Sequence, residues 1–219
     1  MTGVVELFRD AWARERAETE FRDDENPAEL GGCGEALVSK YMDEAAPLIE
    51  PAEVEMRIEG TIGGIQVQGW IDLLDVNARI IDLKTAARKP SGIESDYKFQ
   101  IATYAQLTPG ASGEARLDTL VKTRSPALVT QNFKVSEQDL LATSKLYPLA
   151  QQSMKSNRFM PNRLSLTCSR RNCSYWRCCE RERGGEVPEN VRKRGCRSAL
   201  LGLDSHAAVR HRRAARVIS

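Results

Sequence analysis

Residues 69–107 read GWIDLLDVNARIIDLKTAARKPSGIESDYKFQIATYAQL, and the changes of period inside this stretch decide the architecture. Apolar residues crowd around Asp72 and again around Asp82, with a turn at Val76-Asn77 between them, which predicts two adjacent strands. Lys84 follows Asp82 at i+2, so both side chains leave their strand on the same face. Pro90, Ser91 and Gly92 mark a loop. Helical spacing then takes over across residues 97–107: Phe99, Ala102 and Leu107 face inward, and Gln100 and Tyr104 share a face at i, i+4.

Upstream, residues 52–59 alternate Val54, Met56 and Ile58 against charged neighbours, the pattern of a half-buried strand. Gly63-Gly64 is a hairpin turn. Residues 52–85 are thus expected to form a three-stranded antiparallel meander. Two helices precede it, over residues 4–19 and 29–46, with Asn26-Pro27 as cap and first turn of the second. Two further strands, RLDTLVKTR and ALVTQNFKV, follow the central helix, and Ser136 caps a long final helix. The order α–βββ–α–β–β–α predicts an α/β (α+β) core, a mixed sheet flanked by helices. The expected division is a helical segment to residue 51, a core over 52–160, a cysteine-rich segment over 161–187 and a basic, weakly structured tail over 188–219.

Composition narrows the function classes. The chain has 219 residues, 41% hydrophobic and 28% charged, as an ordinary globular protein does. No apolar run approaches a membrane span and the N-terminus lacks a signal pattern, so a cytoplasmic protein without membrane contact is expected. The net charge is +2, but residues 192–219 hold eight Lys/Arg against one acid, which leaves −5 on the remainder. Such a tail suits a polyanion, and it equally suits a solvated end. No Gly-rich phosphate loop or Gly-x-Ser-x-Gly elbow is present.

Asp72, Asp82 and Lys84 carry the chemistry. Asp-x-Lys alone is a common surface ion pair. Here Asp82 follows two isoleucines and precedes a leucine, and an acid in so apolar a strand needs a compensating partner. A hard cation such as Mg²⁺ is such a partner, held by one or two carboxylates with positions left open. It activates water and offsets charge on a scissile phosphate, and Lys84 adds a compact positive charge beside it.

Together, G-W-I-D, then I-I-D-L-K-T, then Q-x-x-x-Y resemble the motifs of the PD-(D/E)XK nuclease superfamily, which has a restriction-endonuclease-like core. The likeness is to the RecB-like and Cas4-like exonuclease branch, phage and prophage members above all, and covers roughly residues 50–185. The resemblance implies a Mg²⁺- or Mn²⁺-dependent DNA exonuclease of recombination and repair. Asp72 and Asp82 would be metal ligands with the Leu83 carbonyl and Glu55, Lys84 the catalytic lysine, and Gln100 and Tyr104 the supporting helix pair. DNA ends or single strands would be the substrate, and a recombination annealing protein or helicase the partner. One family feature is missing: the histidine metal ligand on a helix ahead of the first strand, where this chain has Val38 after Gly34. The expectation is an N-terminally shortened member, with a catalytically impaired DNA-binding remnant as the alternative.

Four of the six cysteines fall within twelve residues, Cys168 to Cys179, and without a secretory signal such clustering points to metal rather than disulfides. The same nuclease branch implies a [4Fe–4S] cluster on Cys168, Cys173 and Cys179, with Cys33 the only upstream candidate for the fourth thiolate. A zinc site that includes Cys178 is the alternative.

Overall fold

The computed structural model describes residues 2–21 and 23–158, together with residues 173, 175–177 and 179. The expected tail over 188–219 and most of the cysteine-rich segment therefore lie outside the described residues. The chain divides into two compact units, one running to Gln152 and one beginning at Ser153. Among the described residues no helix is long and apolar enough to cross a membrane.

Two helices, α1 (Thr2–Glu18) and α2 (Pro27–Glu44), lead into strands β1 (Pro51–Ile62), β2 (Ile65–Asp75) and β3 (Ile80–Ala86). Helix α3 (Ser95–Leu107) connects β3 to β4 (Glu114–Val121), which is followed by β5 (Ala127–Lys134) and α4 (Glu137–Lys155). The sheet order is β1-β2-β3-β4-β5, antiparallel except for the parallel β3–β4 pair that α3 bridges. This is the mixed sheet expected.

Local chemistry explains the element ends. Asn26 Oδ1 accepts the Ala28 N–H at 3.0 Å and Pro27 occupies the first turn of α2. Ser136 and Asp139 cap α4 reciprocally: Ser136 Oγ accepts the Asp139 N–H at 3.1 Å and Asp139 Oδ2 accepts the Ser136 N–H at 3.0 Å. Gly63 and Gly64, at φ 57° and 81°, supply the left-handed backbone that a tight β1–β2 hairpin needs.

The core lies between the sheet and α3, where Ile58, Ile71, Ile80, Ile101, Ala102 and Leu107 are all buried. Burying one such aliphatic side chain contributes about 1.5–3 kcal/mol, enough to hold α3 against the strands in a fixed position.

Two expectations change in detail. Helix α3 begins at Ser95, and Ile101 beside Ala102 enters the core while Phe99 stacks on Tyr147 of α4 at 5.6 Å. In β1 the alternation fails at Val54, which is 55% exposed. Its neighbour Glu55 has φ 51°, and a left-handed residue inside a strand breaks the two-residue repeat on which the inward reading of Val54 depends.

Candidate functional site

The ladder between β2 and β3 holds only Leu73 opposite Ile81 and Leu74 opposite Ile80. Beyond it β3 continues alongside β4 as far as Ala86 opposite Val121. The β2 side of β3 is therefore open from Asp82 onward, and Asp72 and Asp82 stand at the point where the strands part. Asp72 spans the gap: its Oδ2 accepts the Leu83 N–H at 2.7 Å, and its Oδ1 has no hydrogen-bond partner among the described residues.

Asp82 is 1% exposed and forms an ion pair through Oδ2 with the Lys84 ammonium. Oδ2 is buried, and among the described residues the Lys84 ammonium is its one partner. Burial pushes the Asp82 carboxyl above the usual carboxylate range; Lys84 opposes that rise and Asp72 adds to it. The arrangement is two carboxylates close enough to feel each other, one of them incompletely solvated by the protein.

Helix α3 closes one side. Gln100 Nε2 donates to Tyr104 Oη at 2.7 Å, which leaves the phenol's own hydrogen free to donate elsewhere. Burial raises the Tyr104 pKa first, the Gln100 hydrogen bond lowers it, and Asp82 and Asp72 raise it further, so the ring faces both acids. Gly69 makes room for that ring: a Cβ there would sit 3.1 Å from the Tyr104 Cε1. The sequence pattern pairs Gln100 with Tyr104, and the fold brings that pair to Asp72 and Asp82.

Glu55 falls between Val54, opposite Leu73, and Met56, opposite Ile71, and so lies across from Asp72. Burial, then Asp72, raises its pKa. Among the described residues, however, no three His, Cys, Asp or Glu side chains form a group that could hold a metal.

Two site residues escape the motif reading. Tyr97, in the first turn of α3, has its ring centroid 5.4 Å from Lys84 Nζ, a cation–π contact that steadies the lysine. Its place one turn before Gln100 is the only sequence signal for it. Tyr41 of α2 has a buried hydroxyl without a hydrogen-bond partner among the described residues. Burial and then Asp118 push its pKa up to about 12, against a lowering by Arg116, and Asp72 adds a further rise. In the sequence Tyr41 looks like one more member of an apolar helix face.

Residues 3–180 match the PD-(D/E)XK nuclease superfamily. The chain belongs to this superfamily. No curated protein matches the sequence. A crystal structure from Eubacterium rectale described as "Putative exonuclease" superposes with a TM-score of 0.54 at 15% identity, over 85% of this chain and 74% of that one. At that identity the likeness concerns the fold alone. The structure of SSO0001 aligns at 14% identity and a TM-score of 0.37, over 72% of this chain and 88% of that one, and carries no argument.

Nucleases of this superfamily work with divalent metal ions, and the residues at the parted strands fit one. The donor set is oxygen only, as hard cations require, and Mg²⁺ commonly takes one or two carboxylates, with water and phosphate filling the remainder. Asp82 Oδ2, held only by Lys84 among the described residues, and the open Asp72 Oδ1 are acceptors of the right kind.

The cysteines fall in both units. Cys33 lies in α2, whereas Cys173 and Cys179 belong to the second unit, and all three are free thiols. Cys179 N–H donates to the Tyr175 carbonyl at 3.0 Å, one helical turn between the two motif cysteines. Cys168 and Cys178 lie outside the described residues, so the ligand set expected for a cluster does too.

Proposed function

We propose that this nuclease-superfamily protein is a Mg²⁺- or Mn²⁺-dependent deoxyribonuclease that removes nucleotides from DNA ends or single strands during recombination or repair. The observation that carries the reading is the buried Asp82 carboxylate at the open edge of β3, whose Oδ2 has Lys84 as its one partner among the described residues. Leaving a carboxylate oxygen buried in that state costs stability, and a bound cation offsets the cost.

Asp72 and Asp82 would hold the ion, with the Leu83 carbonyl and, more distantly, Glu55. When bound, the ion supplies a polarised water and positive charge at the scissile phosphate. Lys84, steadied by the Tyr97 ring, places its ammonium where charge grows on the phosphate oxygens. The Tyr104 hydroxyl, its oxygen already engaged by Gln100, directs its proton toward the same oxygens. Cys168, Cys173 and Cys179, with Cys33, remain our proposed ligands for a [4Fe–4S] cluster, and iron and zinc analysis of anaerobically purified protein separates cluster, zinc and neither.

The full chain, purified and given Mg²⁺ or Mn²⁺, should degrade linear DNA and spare covalently closed circles. Asp82→Asn should abolish this. Cleavage that persists unchanged in Asp82→Asn would sink the site assignment, and nicked circles would replace the exonuclease reading with an endonuclease. A protein that binds DNA yet takes up no Mn²⁺ in a calorimetric titration would be the impaired remnant.

A further inference from the structure

Every lysine and arginine inside a strand of the sheet faces an acid: Arg57 pairs with Glu59, Lys84 with Asp82, Arg116 with Asp118 and Lys134 with Glu114. The loops at the carboxyl ends of β3 and β4 depart from that rule. Residues 87–93 (ARKPSGI) and 122–126 (KTRSP) carry Arg88, Lys89, Lys122 and Arg124 and no acid. All four are exposed, and none has an ion pair or a side-chain hydrogen bond among the described residues. Glu94 and Asp96, at the start of α3, are the nearest acids in sequence, and neither pairs with the cluster.

The fold gathers these charges. Strands β3 and β4 run parallel, so both loops leave the same end of the sheet, and the Lys122 N–H donates to the Ala86 carbonyl at 2.7 Å. That bond ties the second loop to the start of the first. Thr123 Oγ1 donates to the Ser125 carbonyl at 2.6 Å, and Pro90 and Pro126 restrict the backbone after Lys89 and Ser125. Like charges held on two tied loops repel one another, and a bound polyanion relieves the repulsion. The place of the cluster says which polyanion. Ala86 lies two residues beyond Lys84, about 7 Å along β3, and the β2 side of that stretch is open. Phosphates of one DNA strand follow each other about every 3.4 Å along a duplex axis. Loops that begin at Ala86 therefore fall within a few nucleotides of a phosphate held at Asp82 and Lys84.

We propose that Arg88, Lys89, Lys122 and Arg124 form a phosphate-binding track that holds the DNA strand on one side of the scissile bond, through its backbone and without regard to base sequence. The inference rests on the nuclease reading and deepens it, because it names what holds the substrate strand beside the acids. Each such contact releases a counterion, so log affinity on a single strand falls by about 0.7 per tenfold rise in salt for each cation engaged.

Fluorescence anisotropy of the full chain with labelled single-stranded oligonucleotides of two unrelated sequences, in EDTA over a series of KCl concentrations, tests this. Wild type is compared with a loop variant combining Arg88→Gln, Lys89→Gln, Lys122→Gln and Arg124→Gln. A control variant combines Arg14→Gln, Arg16→Gln, Lys145→Gln and Lys155→Gln, which removes the same charge from exposed positions on α1 and α4. For both sequences the loop variant should bind at least ~10-fold more weakly at low salt, with a salt slope shallower by about 3, and the control should keep the wild-type slope. An unchanged slope in the loop variant overturns the proposal. So does an equal loss in the control, because net charge alone then accounts for binding, and so does a loss confined to one sequence. Should the combined loop variant not fold, Arg88→Gln/Lys89→Gln and Lys122→Gln/Arg124→Gln are read separately, each expected to lose about half the slope change. If wild type cuts linear DNA, Asp82→Asn does not, and the loop variant keeps the wild-type slope, the nuclease reading stands and this inference alone fails. A wild type that neither binds nor cuts DNA removes both.

Discussion

Neighbouring parallel strands each carry an acid and a base two residues apart: Asp82 and Lys84 on β3, Arg116 and Asp118 on β4. The register sets Ile81 opposite Arg116 and Asp82 opposite Leu117, so the two pairs leave the sheet on opposite faces. The β4 pair is closed. Its side chains are 7% and 0% exposed, the guanidinium engages both carboxylate oxygens, and Thr130 adds a third bond. The β3 pair is open. Lys84 is 21% exposed, and it is the one partner of the buried Asp82 oxygen among the described residues. An acid that is fully hydrogen-bonded has nothing left to offer a ligand, whereas one held only by a partly exposed ammonium can share its free acceptor sites. The same composition thus gives a structural brace on one face and a reactive group on the other.

Breaking the closed pair should have the largest effect. Asp118→Ala leaves the Arg116 guanidinium buried without its partner, and urea denaturation should show a loss of about 3–5 kcal/mol. A loss below about 1 kcal/mol would mean that Arg116 finds water or another acceptor and that the pair is not a brace. Lys84→Ala should shift the balance, lowering cleavage of linear DNA by ~100-fold or more with a smaller loss of stability than Asp118→Ala. A Lys84→Ala protein that cuts normally would reduce the β3 pair to an ordinary ion pair.

The smallest effect is on pH dependence. The Asp82 carboxyl titrates above its unfolded value, with burial the leading cause. Between the ordinary value of about 3.9 and the raised one, the folded state therefore binds more protons than the unfolded chain. The protonated acid's contribution to metal-free stability is fully present below that window and is lost as pH rises through the folded pKa. Asp82→Asn in EDTA should remove this part of the slope, and Mn²⁺ should restore stability at neutral pH in wild type only. An identical slope in both proteins would show that Asp82 is not the desolvated group.

Much of the core was readable because it depends on local rules. The Gly63-Gly64 hairpin, the Asn26-Pro27 cap, the strand periods around Asp72 and Asp82 and the i, i+4 pairing of Gln100 with Tyr104 each follow from residues close in sequence. Val54 shows where such reading fails: alternation assumes ordinary strand backbone, and Glu55 does not have it. Tyr97 was missed because its partner Lys84 lies thirteen residues away across the loop before α3. Arg116 and Asp118 passed without notice in a segment read simply as a strand, because Arg-x-Asp has no periodic signature that separates a buried brace from a surface pair.

The sequence by itself determined the superfamily, the order of elements and which acids and lysine travel together, because spacing along a strand or helix sets which side chains share a face. Only the tertiary structure decided which pair is open and which closed, and that the Tyr41 hydroxyl of a distant helix is buried without a hydrogen-bond partner among the described residues. Burial and hydrogen-bond satisfaction depend on packing between elements far apart in the chain, and no local pattern encodes them.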